Sequence, residues 1–317
     1  MKRKEFLAIS SIGAASMAFP PPTDGKQIPN IDAAWYQRSR RFAAVTTGRV
    51  AYAECGRGQV ALFLHAFPLN GFQWRGAIAR LARHRHCIAP DFMGLGYSET
   101  AEAYEITPVT HADMLVEFLD ALKIKDVDII ANDTGGEVAQ LFLARHPGRT
   151  RTLLLTNCDV STNSPPPSFK PVVAAAQKGV LADSFQRLLA DKTLARSTKG
   201  LGAFYTDPSS LTDEAIEYYF SPLVSSPLRK AQLNRFAAAL AENPLVVIES
   251  ELKRSQVPVR MVWGEADTTF DVTWADWLDK TFPNSRGVRR IPEAKLFFPE
   301  EMPELITEEA LRLWNRA

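Results

Sequence analysis

The chain has 317 residues, of which 46% are hydrophobic and 23% charged, the profile of a folded globular protein rather than a disordered or fibrous one. Its 37 Lys and Arg stand against 36 Asp and Glu, so no charge surplus argues for nucleic acid or an anionic membrane as partner. The length suits one large α/β unit carrying an insertion. Cys55, Cys87 and Cys158 are odd in number and widely spaced, and they predict neither a disulfide framework nor a zinc site.

The first thirty residues differ from the rest. Lys2-Arg3-Lys4 is followed by the apolar, small-residue-rich run Phe6 to Ala18, and Ser16-Met17-Ala18 offers small residues at both cleavage positions. This resembles an export signal, and Arg3-Lys4-Glu5-Phe6-Leu7 resembles a twin-arginine signal with one Arg replaced by Lys. The expectation is an exported protein, periplasmic or secreted, with a cytoplasmic one as the alternative. Residues 1–30 are assigned as signal peptide and linker, and the apolar run is too short to span a bilayer.

Arg41 to Val45 and Val50 to Cys55 read as a hairpin around Thr47-Gly48, and Val60 to Leu64 as a buried strand running into His65-Ala66-Phe67-Pro68. A helix is predicted from Trp74 to Leu81, a strand over Cys87 to Pro90, and an amphipathic helix from Val109 to Leu122. Val127 to Ala131 is an apolar run led by β-branched residues, a fully buried strand. Helical spacing then takes over at Val138, Leu141, Phe142 and Leu143 until His146-Pro147-Gly148. Between them Asn132-Asp133-Thr134-Gly135-Gly136 forms a strand-to-helix elbow, with small neighbours around one reactive side chain. The free N–H groups of the following helix favour an ionised Asp133 there, able to attack carbon as a carboxylate. The plainer reading is that Asp133 only caps that helix.

Thr152 to Leu155 is the next strand. From Ser164-Pro165-Pro166-Pro167 to about Leu252 the strand rhythm stops, and helices are predicted at 171–177, 181–194, 213–219 and 231–240. The sheet resumes at Val257 to Trp263 and Gly287 to Ile291, with helices at 274–281 and 304–314. The alternation predicts an α/β fold with a mostly parallel sheet covered on both faces. Residues 31–160 and 256–317 are assigned to the core and 161–255 to a helical cap.

These motifs resemble the α/β-hydrolase family over about residues 40 to 315. His65-Ala66-Phe67-Pro68 is similar to its loop after the third strand, and Asp91 to Ser98 to its Asp-x-x-Gly-x-Gly-x-Ser turn. Asn132 to Gly136 is similar to its nucleophile elbow and Gly264 to Asp267 to its acid loop. The resemblance implies a mostly parallel eight-stranded sheet flanked by helices. An Asp elbow points to the haloalkane dehalogenase and epoxide hydrolase branch. The resemblance then implies Asp133 as nucleophile, the N–H groups of Phe67 and Thr134 as oxyanion hole, and Asp267 as the acid that orients a histidine, with Asp159 as second candidate. Trp74, Asn132 and the cap residue Tyr205 are assigned to substrate binding, and Tyr205, Tyr218 and Tyr219 are candidate proton donors to an opening ring.

Two departures bear on chemistry. Dehalogenases typically hold the halide with a Trp after the nucleophile and often with an Asn; here Thr134 and Phe67 stand at those places, which disfavours a halide leaving group. The family's histidine after the last strand is also missing. None of His65, His84, His86, His111 and His146 follows Asp267, and Lys295 or Leu296 occupies the expected position. Lys295 is the candidate replacement base, or else a structural partner of Asp267, Glu300 or Glu301.

His84 and His86 lack a carboxylate-plus-His partner set, so no metal and no cofactor are expected. His65 and His111 read as structural. The functional expectation is a hydrolase that attacks a small apolar electrophile, epoxide- or ester-like, through Asp133. The alternatives are a small-molecule binding protein, or a lyase or isomerase using Asp133 as proton acceptor. No sequence feature assigns an oligomeric state.

Overall fold

The computed structural model describes residues 30–315. The expected export signal therefore lies outside the described residues. Nine strands form one sheet: β1 (Arg41–Val45), β2 (Gly48–Cys55), β3 (Val60–Leu64), β4 (His86–Pro90), β5 (Glu99–Thr100), β6 (Val127–Asp133), β7 (Thr150–Cys158), β8 (Val259–Gly264) and β9 (Ser285–Ile291). The spatial order is β1-β2-β4-β3-β6-β7-β8-β9, with β5 paired on β2. Pairs involving β1, β2 and β5 are antiparallel, and all others are parallel. The sheet thus has one strand more than the expected eight. The extra strand, β5, has two residues, too few to leave a periodicity in the sequence.

The centre of the sheet is the most apolar part. Every residue of β3 and β6 is buried, which is what strands covered on both faces require. At the β9 edge the strand is charged and half-exposed, and Arg290 there pairs with Glu265 and Asp276. The start of β6 is fixed by a buried carboxylate: Asp128 Oδ2 accepts from Arg85 and Arg151, each at 2.9 Å, and Oδ1 accepts from Thr152 at 2.9 Å.

The helices are α1 (Ala33–Ser39), α2 (Arg75–Leu81), α3 (Pro108–Ala121), α4 (Thr134–Arg145), α5 (Lys170–Gln177), α6 (Leu181–Ala190), α7 (Lys192–Arg196), α8 (Asp213–Val224), α9 (Pro227–Ala239), α10 (Glu249–Leu252), α11 (Thr273–Thr281), α12 (Phe298–Glu301) and α13 (Pro303–Trp314). Helix α1 was not expected. Asp32 caps it by accepting from Trp35 N at 2.7 Å, and Tyr36 ties it to the core by donating to Gly71 O at 2.8 Å. The single helix expected over 181–194 is two, because Asp191 ends one and caps the next, its side chain accepting from Leu194 N at 2.9 Å. From β7 to β8 the described chain contains helices α5 to α10 and short 3₁₀ turns, joined by no strand.

Candidate active site

The chemistry-bearing side chains collect at the C-terminal ends of the parallel strands, where open α/β sheets bind ligands. β3 runs into Phe67, β6 ends on Asp133, β7 leads to Asp159, β8 to Asp267 and β9 to Leu296.

Asp133 stands at φ +55° and ψ −129°, in the left-handed half of backbone space that non-glycine residues rarely adopt. Two glycines make the bend possible. A Cβ on Gly135 would lie 2.4 Å from Leu64 O, and one on Gly136 2.4 Å from Cys158 Cβ, so α4 packs closer to β3 and β7 than any other residue allows. The Asp133 side chain makes no capping bond to α4, which removes the plainer reading of this residue. Instead Asp133 Oδ2 accepts from the Phe67 N–H at 2.9 Å, and the Thr134 hydroxyl lies 3.5 Å from the same oxygen.

Asp133 is buried, which makes it harder to ionise than the helix terminus alone implies. Desolvation pushes its carboxyl up to about 7, and the Asp267 carboxylate adds to the rise. The N–H groups of Thr134 and Phe67 oppose the shift without cancelling it. Burial outweighs the helix terminus because only these few donors replace the lost water.

The carboxyl faces an apolar cavity of about 290 Å³, at the small end of the roughly 300–1,000 Å³ usual for ligand pockets. Its walls include Phe67, Pro68 and Leu296 from the sheet side, and Phe169, Val172, Phe185, Leu188 and Leu201 from the segment between β7 and β8. A second, narrow recess opens beside it, bounded by Asp133, Thr134, Asp159, Ser164, Pro165, Pro166, Phe169, Leu240 and Phe270. Three roomier grooves, of about 370, 440 and 550 Å³, lie elsewhere and do not reach Asp133.

No histidine lines either space around Asp133. His65 is spent on structure: its Nδ1 lies 2.9 Å from Ala66 O and its Nε2 accepts from Phe92 N at 3.0 Å, with burial lowering it to about 3. His111 bonds Met93 O at 3.1 Å and is lowered by burial to about 4. His86 bonds Glu54 at 2.9 Å.

Asp267 is held in place without an imidazole. Its Oδ2 accepts from Asn157 Nδ2 at 2.8 Å and from Phe270 N at 3.3 Å, and its Oδ1 from Thr269 N at 2.8 Å. Burial raises it above the ordinary carboxylate range. Asn157 was not anticipated, although it stands at the end of β7 and also bonds Gly264 through both its amide groups, at 2.7 and 3.0 Å.

Six expected site residues are elsewhere. Lys295 does not line the cavity; its backbone N–H donates to Thr206 Oγ1 at 3.1 Å, and its ammonium forms no ion pair among the described residues. Asp267 is occupied by Asn157, Glu300 by Arg75 and Tyr205, and Glu301 by the N–H groups of Thr206 and Asp207, so none of the three holds Lys295. The adjacent Leu296 is the residue of this loop that faces Asp133's cavity. Tyr205 is fully buried and its hydroxyl donates to Glu300 Oε2 at 2.7 Å. Tyr218 accepts from Arg40 at 2.7 Å and Tyr219 from Arg75 at 3.3 Å, and neither reaches the cavity. Trp74 is a core ring against Phe63. Asn132 is a buried tie, accepting from Gln73 at 2.8 Å and donating to Asn157 O and Leu296 O at 3.1 and 3.2 Å.

Two further carboxyls lie close to Asp133. Asp159 is buried and is raised well above its ordinary range by desolvation, then by Glu137 and Asp133. Glu137, in the first turn of α4, is pushed up to about 8 by burial, with Asp133 adding to it. Ser164 Oγ donates to Glu137 Oε1 at 3.0 Å, while Glu137 Oε2 has no partner among the described residues. Glu137 was missed; the available clue is a carboxylate on the buried face of an otherwise apolar helix turn.

The family model described as alpha/beta hydrolase fold matches residues 60–301. Haloalkane dehalogenase 2 of Mycobacterium tuberculosis (strain ATCC 25618 / H37Rv) is 26% identical over 297 residues, covering 90% of this chain and 95% of that protein. Among solved structures, the ancestral haloalkane dehalogenase AncHLD2 superposes with TM-score 0.72 at 25% identity over 87% of this chain and 98% of that one. The epoxide hydrolase CorEH gives TM-score 0.73 at 21% identity over 87% and 98%. With its parallel sheet, strained elbow and strand-end loops matched by a family model over most of its length, the chain belongs to the α/β-hydrolase family.

Proposed function

We propose that the protein is a hydrolase that attacks a small apolar electrophile, epoxide- or ester-like, with the carboxylate of Asp133. The observation that carries this reading is the 2.9 Å bond from the Phe67 N–H to Asp133 Oδ2. One carboxylate oxygen is anchored at the mouth of an apolar cavity, and the other is the attacking atom. The N–H groups of Phe67 and Thr134 then act as oxyanion hole when the resulting ester is hydrolysed and charge develops on that anchored oxygen. Residues 161–255 serve as a cap, supplying the apolar wall opposite Asp133.

The leaving group follows from the lining. No tryptophan faces the cavity, so a departing halide meets no indole N–H. The relative named haloalkane dehalogenase 2 therefore supports the hydrolytic class, and the lining favours an oxygen leaving group. The raised Asp133 supports a second reading, in which it is a proton acceptor tuned near neutral pH in a lyase or isomerase.

The test is intact-mass analysis after exposure to a panel of terminal epoxides and alkyl esters. The expected result is an adduct, or turnover through one, that Asp133→Asn loses by at least about 10³-fold, as for removal of a nucleophile. Proton exchange or isomerisation with no adduct under single-turnover conditions would instead select the second reading.

A further inference from the structure

We propose that Asp159 is the acid–base partner of Asp133 and works through one water molecule held in the recess between them. The inference rests on Asp133 being a nucleophile, and it supplies the function that the missing histidine leaves open. Three observations lead to it.

The first is placement. Asp133 and Asp159 bound the same recess, with Thr134 and Ser164 beside them. Lys295, Tyr205, Tyr218 and Tyr219 are absent from both spaces; Lys199 lines the larger cavity, and Asp159 is the titratable side chain that bounds the recess with Asp133. The second is size. The recess leaves about 10 Å³ for the centre of a water molecule, against the roughly 10–15 Å³ that one buried water requires. Its polar wall offers the two to four partners such a water needs. The third is an orphaned oxygen. Ser164, on the recess wall, donates to Glu137 Oε1 at 3.0 Å, and the other Glu137 oxygen is buried without a partner among the described residues. A buried acceptor of this kind calls for a hydrogen donor, which a protonated carboxyl or a water in this cluster supplies.

The position of Asp159 is fixed from behind. Gln140 donates to its backbone carbonyl at 2.8 Å and to Gly136 O at 3.0 Å, locking the β7 terminus to α4. Burial, then Glu137 and Asp133, raise Asp159 well above the ordinary carboxylate range and favour its protonated form. The N–H groups of Phe67 and Thr134 favour the ionised form of Asp133.

The reaction balances with these groups alone. The Asp133 carboxylate attacks an epoxide carbon; an ester C–O bond forms and the ring C–O bond breaks. The departing oxygen takes the Asp159 proton, leaving Asp159 as carboxylate. Esterification has meanwhile removed the Asp133 charge, which favours the ionised Asp159. The recess water attacks Asp133 Cγ and gives a proton to Asp159. The tetrahedral intermediate then breaks its bond to the alkyl oxygen, which leaves as an alcohol with that proton. The carboxylic acid left on Asp133 passes its proton to Asp159, and the sum is epoxide plus water to diol. One carboxyl as nucleophile and the other as acid then base is the division of labour of retaining glycosidases.

The test compares two probes on the full chain by intact mass: 1,2-epoxyhexane, whose opening needs a proton, and hexyl methanesulfonate, whose leaving group needs none. In Asp159→Asn, attack on the epoxide slows about 100-fold or more relative to attack on the sulfonate, and release of either adduct slows about 100-fold or more, the size of general acid–base assistance. Asp159→Glu recovers part of both losses, and H₂¹⁸O labels the Asp133 carboxyl during release. Leu240→Phe, which fills the recess, slows release and spares attack on the sulfonate. Release from Asp159→Asn or Leu240→Phe as fast as from the parent overturns the proposal and leaves the nucleophile reading standing. A parent that forms no adduct and turns over neither probe overturns both.

Discussion

At the scale of single residues the site is a set of carboxyls deprived of water. Because Asp133 is lifted to about 7 by burial, its nucleophilic form is the minority species in mildly acidic solution. Adduct formation is therefore expected to rise about tenfold per pH unit up to about 7 and then level off. A rate flat from pH 5 to 8.5 would show that burial and the neighbouring Asp267 do not hold Asp133 protonated. The same shifts have a stability consequence of definite sign. Asp133 and Glu137 have folded values raised to about 7 and 8, so the folded state keeps protons that the unfolded chain loses above about pH 4. Their contribution to stability is complete below about pH 4 and is lost as pH rises through 7 and 8. Glu137→Gln keeps a partner for Ser164 and removes the buried charge. Thermal melts should show it more stable than the parent by about 1–3 kcal/mol at pH 8.5 and nearly equal at pH 5.

At the scale of elements, the elbow works because β6 and α4 meet without room for side chains. A methyl on Gly136 would lie 2.4 Å from Cys158 Cβ, backbone-adjacent matter that cannot swing aside. Gly136→Ala is expected to cost about 1–3 kcal/mol, the usual range for overpacking, measured by denaturant midpoint. It should also lower adduct formation, since Asp133 is carried by the same turn. The elbow was legible in the sequence for the same reason: only small residues fit, so the pattern Asp133-Thr134-Gly135-Gly136 carries its own geometry. Helix α1 and strand β5 were not legible. The first depends on Tyr36 reaching Gly71, and the second on pairing with β2, contacts that local spacing does not encode.

At the scale of the molecule, the helical segment between β7 and β8 is bolted to the sheet by a buried polar cluster. Arg75 and Glu300 pair at 2.6 Å, and Tyr205 and Tyr219 of the segment bond to Glu300 and Arg75. Glu300→Ala leaves Arg75 a largely buried and unpaired cation, and is expected to cost about 3–5 kcal/mol in chemical denaturation. This cluster also turns Tyr205 away from the cavity: its hydroxyl donates to Glu300, the carboxylate that secures the fold. Sequence alone determined the α/β architecture, the buried central strands and the carboxylate at the elbow, because hydrophobic period and turn chemistry are local properties. Only the tertiary structure decided that Asp159 and Glu137 neighbour Asp133, that Leu296 rather than Lys295 faces the cavity, and that Asp133 is raised toward neutrality. Those outcomes depend on which strand ends converge and how completely they exclude water, and burial is a property of the assembled molecule.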